Sequence, residues 1–363
     1  MSAEACAVMP AQKPHLLGLD RQSLERLLAG WGESPFRAKQ ILQWIHGRQI
    51  TDFAEMSNIS KALRARLSEE TQYAEPEILA DQLAADGTRK WLLGLPDGNA
   101  IETVFIPEED RGTLCVSSQV GCSLACSFCA TGAQGLNRNL DTHEIIAQIR
   151  TARQIQGLDA ITNIVFMGMG EPLLNLRQVL PALDLLRDDF AYGFGPKRIT
   201  VSTAGVVPGL DRLGAESPVN LAISLHASRD EVRDVLVPVN RHYPLAELLD
   251  ACRRYPLLPR RRITFEYVML DGVNDSDADA RALLRILSGI PAMVNLIPFN
   301  SFPGSDYQRS PQKRIDAFRD IILRGDVMTV TRRPRGDDIA AACGQLAGQV
   351  RDGRRSIPLR VQA

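Results

Sequence analysis

The sequence predicts an α/β protein: a parallel β-sheet, open or closed into a full or partial (β/α) barrel, preceded by a small helical module and a β-hairpin. Three observations carry this. From residue 113 onward, short β-branched apolar runs alternate with stretches of helical periodicity, the pattern of right-handed βαβ units. Between about residues 20 and 75 the apolar residues recur only at helical spacing. Between these regions, two short apolar runs flank the turn residues Pro96-Asp97-Gly98-Asn99.

Residues 1–13 are dominated by Ala, Pro and polar residues without periodicity and read as a disordered leader. The segments DRQSLERLLAGWG, SPFRAKQILQWIHG and SKALRARLSEE then read as helices of a module over 14–75. Asp20 and Ser34 are the N-cap candidates, Pro35 is a first-turn residue, and Gly32 and Gly47 are stops. The hairpin TRKWLLGLPDGNAIETVFIP lies within an extension over 76–112. The βα series occupies 113–349. Its expected strands are TLCVSSQV, ITNIVFMGMG, RITVSTAG, VNLAISLHA, RITFEYVML, MVNLIPFN and VMTVTRRPRG, and each is followed by a helical segment, the last being DDIAAACGQLAG. Residues 350–363 read as a short basic tail.

The chain has 363 residues, 45% of them hydrophobic, enough for one large domain and a smaller one. No apolar run approaches the roughly 18 residues of a membrane span, and the N-terminus lacks the layout of a secretory signal. A cytoplasmic protein is expected. Net charge is −1, from 42 basic and 43 acidic residues, so nucleic-acid binding would need a local basic patch rather than the overall field. Arg332, Arg333 and Arg335 in TRRPRG, and Arg260, Arg261 and Arg262, are such runs. In the cytoplasm the seven cysteines are expected to be thiols, metal ligands or redox pairs rather than a disulfide framework.

Cys122, Cys126 and Cys129 form C-x3-C-x2-C just after the first expected strand of the series, with small residues interleaved. Three thiolates can hold three irons of a 4Fe–4S cluster and leave the fourth open to chelation by an amino acid. A structural zinc site would require a fourth ligand, and no Cys or His lies at suitable local spacing. With Phe128 before the third cysteine, the motif resembles that of the radical-SAM superfamily, whose fold is a partial or complete (β/α) barrel. The resemblance implies a cluster on Cys122, Cys126 and Cys129 and S-adenosylmethionine (SAM) beside it. Gly170 and Glu171 in GMGEP match the superfamily's GGEP-like motif. Ser202, then Ser224, Leu225 and His226 in ISLHA, and Asn300 in IPFN stand at further strand ends, where they would outline the SAM pocket.

Over nearly its whole length the sequence looks like the bacterial dual-specificity adenine C2 methyltransferases of 23S rRNA and tRNA. The matching strings are TLCVSSQVGCSLACSFCATG, QGLNRNL, GMGEPLLN, LAISLHA, VNLIPFN and GDDIAAACGQL. Adenine C2 is an electron-poor carbon that cannot attack the methyl of SAM directly. The resemblance implies a relay instead: a cysteine takes the methyl from one SAM, a second SAM yields a 5′-deoxyadenosyl radical that activates it, and another cysteine resolves the covalent adduct as a disulfide. Cys343 matches the methyl carrier, Cys115 the resolving cysteine and Glu102 the proton acceptor. The helical module, with Phe36, Arg37, Lys39 and Gln40, resembles the family's small RNA-binding domain. The resemblance also implies a reductant protein such as flavodoxin and a monomeric enzyme.

Two other activities use similar residues. An adenine C8 methyltransferase conferring antibiotic resistance would share the five working cysteines, whereas a glycyl-radical activase would need the cluster but neither Cys115 nor Cys343. A non-catalytic iron–sulfur or zinc module is the third alternative. Cys6 and Cys252 receive no role, and His46, His143 and His242 read as structural or surface residues.

Overall fold

The computed structural model describes residues 13–352. The expected leader through residue 12, which includes Cys6, and the tail from 353 lie outside the described residues.

The helical module forms as the periodicity predicts. Helix α1 (Arg21–Gly30) is capped by Asp20, whose side chain accepts the Ser23 amide at 2.7 Å. Helix α2 (Phe36–Leu42) runs into a π-turn over Gln43–Gly47, and α3 (Lys61–Glu70) starts from the Ser60 cap. Ser34 caps weakly, its hydroxyl standing 3.4 Å from the Phe36 amide. Leu24, Leu28, Ile41, Leu63 and Leu67 form the buried side of the module.

An antiparallel ribbon follows, with β1 (Glu77–Leu83), β2 (Arg89–Gly94) and β3 (Ala100–Glu108). The turn at Pro96–Asn99 joins β2 to β3 as expected. β1 was not anticipated, because its sequence EILADQL is exposed almost throughout and carries no alternating pattern.

The barrel region begins with β4 (Arg111–Cys115), β5 (Gln119–Gly121), α4 (Ala130–Gln134), β6 (Leu136–Asn139) and α5 (Thr142–Gln156). β7 (Asn163–Phe166), α6 (Leu176–Arg187), β8 (Ile199–Thr203), α7 (Val207–Glu216) and β9 (Asn220–Ser224) come next. After α8 (Asp230–Leu236) and α9 (Leu245–Arg254) come β10 (Ile263–Met269), α10 (Asp277–Ile286), β11 (Ala292–Pro298), α11 (Gln312–Arg324) and β12 (Met328–Thr331). Among the described residues these strands make one ten-stranded sheet in the order β1-β2-β3-β4-β7-β8-β9-β10-β11-β12. Every pairing from β4 to β12 is parallel.

The sheet is therefore a partial barrel: no pairing joins β12 to β4, whose free edge is taken by β3. The C-terminal segment spans this gap, exchanging two backbone hydrogen bonds of 2.9 Å between Ala100 and Gln349. No helix among the described residues is long and apolar enough to cross a membrane.

Two expectations about elements need correction. TLCVSSQV is not one strand, because the chain leaves the main sheet after Cys115 and pairs β5 with β6 in a separate two-stranded sheet. DDIAAACGQLAG is not a helix: only Asp337–Ile339 make a 3-10 turn. Positive φ angles at Gly336, Ala340, Gly344 and Gly348 turn this segment repeatedly.

Arg150 docks the module on the barrel. From α5 its guanidinium reaches the carbonyls of Ile45 at 2.6 Å, Gln49 at 2.9 Å and Ile50 at 2.7 Å, and it pairs with Glu75 at 2.5 Å.

Candidate active site at the strand ends

The cysteine loop runs from β5 through α4 to β6, over the C-terminal ends of the parallel strands. Its three cysteines line one cleft with Gly168, Gly170, Glu171, Ser202, Ser224, His226, Asn300 and Cys343. Residues from many strand ends thus converge, as is usual for a barrel of this kind.

Small residues are required where the loop folds on itself. A Cβ on Gly132 would stand 2.9 Å from the Cys126 nitrogen and 3.0 Å from its oxygen, and one on Gly121 would stand 1.9 Å from the Gly135 oxygen. Burial raises all three thiols, Cys122 to about 12, with the neighbouring cysteines adding to the effect at Cys122 and Cys126. Among the described residues, no three His, Cys, Asp or Glu side chains gather tightly enough for a single metal ion. Three thiols on one cleft can each hold one iron of a cluster.

Gly170 and Glu171 shape the wall after β7. Gly170 has φ +97°, and a Cβ there would lie 2.4 Å from the Gln119 Cβ. The Glu171 carboxylate accepts the amides of Leu173 at 3.0 Å and Ala204 at 2.8 Å, joining the ends of β7 and β8. Burial pushes this carboxyl up to about 7, against the pull of those amides.

The Ser202 and Ser224 hydroxyls stand 3.4 Å apart. His226 adopts φ +60°, and its Nδ1 accepts the Val268 amide at 3.1 Å, which leaves the proton of the neutral ring on Nε2. Burial, reinforced by Arg233, lowers this imidazole to about 3. Its ring meets Phe128 edge-on at 4.6 Å. The Asn300 side-chain oxygen accepts from Arg309 at 2.9 Å. Leu225 does not join the cleft: its side chain is fully buried in the core, and its backbone bonds to Glu266 and Arg233.

Cys343 reaches the cleft on the irregular C-terminal segment, which is stitched to the cysteine loop. Ala130 donates to the Gly344 carbonyl at 2.7 Å, and Thr131 Oγ1 donates to that of Leu346 at 2.5 Å. Cys115 ends β4, buried just behind the cleft, and its thiol is pushed up to about 12 by burial and then by the Cys343 charge. Two residues from distant parts of the chain are thus brought close.

Glu102 also lies behind the cleft. One of its oxygens pairs with Lys90 at 2.9 Å and the other accepts the Ala347 amide at 2.8 Å. Lys90 donates in turn to the Ala340 carbonyl at 3.2 Å, so the pair grips the Cys343 segment on both sides of the cysteine.

Glu266 and Arg233, two charged residues at the site, were not singled out by sequence, and a third, Arg332, was read only as part of a basic run. Arg332, expected on the basic surface, instead turns inward, and its Nη1 donates to Cys343 Sγ at 2.9 Å. Glu266, on β10, is buried and lines the cleft. Arg233 is fully buried below the cysteine loop, binding the carbonyls of Leu225 at 3.0 Å, Ala204 at 2.6 Å and Ser224 at 3.2 Å. Only the polar letter in the apolar run TFEYVM hinted at Glu266. Nothing local marked Arg332 off from its neighbours.

Comparison with known proteins fits this arrangement. Residues 14–72 match the model described as the ribosomal RNA large subunit methyltransferase N-terminal domain, and residues 116–284 match the radical SAM superfamily. The chain is 57% identical, over 94% of its length and 96% of the relative's, to the dual-specificity RNA methyltransferase RlmN of Alkalilimnicola ehrlichii. The chain belongs to the RlmN family of radical SAM methyltransferases. A solved radical SAM methyltransferase from Sphaerobacter thermophilus matches the structure at TM-score 0.86 and 44% identity, covering 92% of this chain and 99% of that one. Membership of the family implies SAM and a 4Fe–4S cluster, which suit the three grouped thiols and the glycine-walled cleft.

Proposed function

We propose that this RlmN-family enzyme methylates C2 of adenine in 23S rRNA and in tRNA, using Cys343 as methyl carrier and Cys115 as resolving thiol. The observation that carries the proposal is the approach of these two cysteines at the cleft that the cluster motif lines. A glycyl-radical activase has no use for that pair.

Cys122, Cys126 and Cys129 would hold the cluster, and Gly170, Glu171, Ser202, Ser224, His226 and Asn300 would receive SAM. When bound, one SAM supplies the methyl group and another, reduced at the cluster, supplies the radical. The protein's own part is largely positioning. The β7 turn presents backbone to the amino-acid end of SAM, and His226 offers an Nε2 proton as a hydrogen-bond donor. The Cys343 segment is held against the cysteine loop by Ala130 and Thr131.

Cys343 Sγ accepts the methyl, and after transfer to the base its sulfur remains tethered to the adduct. Cys115 would then attack that sulfur as a thiolate, so that the disulfide bond forms as the bond from sulfur to the methylene carbon breaks, and that carbon takes a proton to become the methyl group of the released base. Glu102 takes the C2 proton. Its two oxygens are held by Lys90 and the Ala347 amide, and each keeps a lone pair to accept a proton. The helical module would contact RNA, and a flavodoxin-like protein would supply electrons to a monomeric enzyme.

Anaerobic turnover with a 23S rRNA fragment, followed by nucleoside mass spectrometry, tests the reading. The expected product is 2-methyladenosine, and 8-methyladenosine would overturn the C2 assignment.

A further inference from the structure

We propose that Arg309 is a positioning residue for SAM: it holds the oxygen of the Asn300 side chain, so that the amide nitrogen faces the cleft as a donor to an acceptor atom of the ligand. The inference rests on the SAM contact proposed for Asn300 and deepens it, because it fixes which end of that amide meets SAM and names the residue that fixes it.

Asn300 stands two residues past β11, is 7% exposed and lines the cleft. An asparagine amide has nearly the same shape with its oxygen and nitrogen exchanged, so a pocket that uses one end needs a neighbour that tells the two apart. Arg309 is such a neighbour. A guanidinium donates hydrogen bonds and accepts none, so the atom it meets must be the oxygen. Its Nη2 donates to Asn300 Oδ1 at 2.9 Å, and its Nε donates to the Phe299 carbonyl at 2.8 Å. One edge of the guanidinium therefore grips the backbone before Asn300 and the side chain of Asn300 together. Among the described residues Asn300 Nδ2 has no hydrogen-bond partner, so both of its hydrogens are left for a ligand.

Arg309 itself is fixed by the barrel. Its backbone pairs with Leu270 in an isolated antiparallel bridge just past β10. On either side, the Asp271 amide donates to the Gln308 carbonyl at 3.0 Å and the Ser310 amide to the Met269 carbonyl at 3.4 Å. Two residues earlier, the Tyr307 hydroxyl lies 2.9 Å from that of Ser127 in the cysteine loop, and the Tyr307 ring meets Phe299 edge-on at 6.3 Å. The loop between β11 and α11 is thus held from β10 and from the cysteine loop, and the Asn300 amide is oriented before SAM arrives. Less ordering is then left to the binding step.

A purely structural Arg309 would act through the loop backbone and would matter whether or not Asn300 were present. The test is therefore a double-mutant cycle on S-adenosylhomocysteine binding to the cluster-loaded protein, measured anaerobically by isothermal titration calorimetry. This probe presents the amino-acid and nucleoside groups of SAM without being cleaved. Asn300→Ala should weaken binding. Arg309→Met should weaken it about fivefold in the wild-type background and leave it unchanged once Asn300 is alanine. Arg309→Lys should recover part of the loss, because an ammonium also only donates. Asn300→Asp keeps the bond to Arg309 but offers no donor, and should bind at least as weakly as Asn300→Ala. An Arg309→Met loss that persists undiminished in the Asn300→Ala background would overturn the proposal, as would wild-type affinity in Arg309→Met. Asn300→Asp leaves Arg309 in place, so wild-type affinity in that variant overturns the donor assignment even where Arg309→Met does not fold. Failure of the underlying reading looks different: wild-type affinity in Asn300→Ala removes Asn300 from the SAM contacts, whatever Arg309 does.

Discussion

The Glu102 carboxylate accepts the Ala347 amide at 2.8 Å, tying strand β3 of the hairpin to the segment that carries Cys343. This bond and the Lys90 contact to Ala340 hold a segment with four left-handed turns from the hairpin side, opposite the bonds it makes to the cysteine loop. Lys90→Met should therefore loosen the segment while leaving the parallel sheet intact. The expected result is faster amide exchange at residues 340–349 and a lower yield of methylated RNA at an unchanged iron content. Unchanged exchange in this segment would show that the pair does not anchor it.

The cysteine loop has no room at Gly132. With a Cβ 2.9 Å from the Cys126 nitrogen, Gly132→Ala must displace the backbone of Cys126, proposed above as a cluster ligand. Iron and sulfide per chain after anaerobic reconstitution should fall below half of wild type, with the far-ultraviolet circular dichroism unchanged. Full iron content would contradict the packing described for this loop.

Arg150 is 1% exposed and serves three carbonyls of the helical module as well as Glu75. Arg150→Met leaves those acceptors buried without donors and should cost about 3 kcal/mol in urea unfolding. A loss within measurement error would show that the module docks by apolar contact alone.

His46, fully buried beside Tyr192, is lowered to about 3, first by burial and then by Arg150 and Arg153. Its folded value lies below the unfolded one of about 6.5, so the unfolded chain binds the extra proton between these limits and stability falls as pH drops through that window. His46→Gln does not titrate. The stability advantage of wild type over this variant should shrink steadily from about pH 7 to about pH 4, as read by urea midpoints. A pH-independent difference would show that His46 is not held neutral.

The strand–helix alternation from β7 to α11 was legible because each strand is a buried β-branched run and each helix has one apolar face. The cluster motif was legible because its cysteines are close in sequence. What lay hidden depends on contacts between distant residues. β1 is nearly all exposed and is a strand only because β2 offers it an edge. The segment around Cys343 is rich in helix-forming alanines, and only its glycines, placed where tight turns are needed, stop the helix. Arg332 and Arg333 are indistinguishable as letters, yet the strand register turns one toward Cys343 and the other to solvent. Leu225 sits between two cleft residues just past the end of β9, with its side chain buried in the core.

The central claim is that Cys343 carries the methyl group and Cys115 releases the product. Mass spectrometry of the Cys343 peptide from anaerobically purified wild type and Cys115→Ala tests it most directly. The account predicts a methyl group on Cys343 in wild type and RNA covalently trapped on Cys343 in the variant. An unmodified Cys343 in both, with the cluster intact and SAM cleaved, would contradict it.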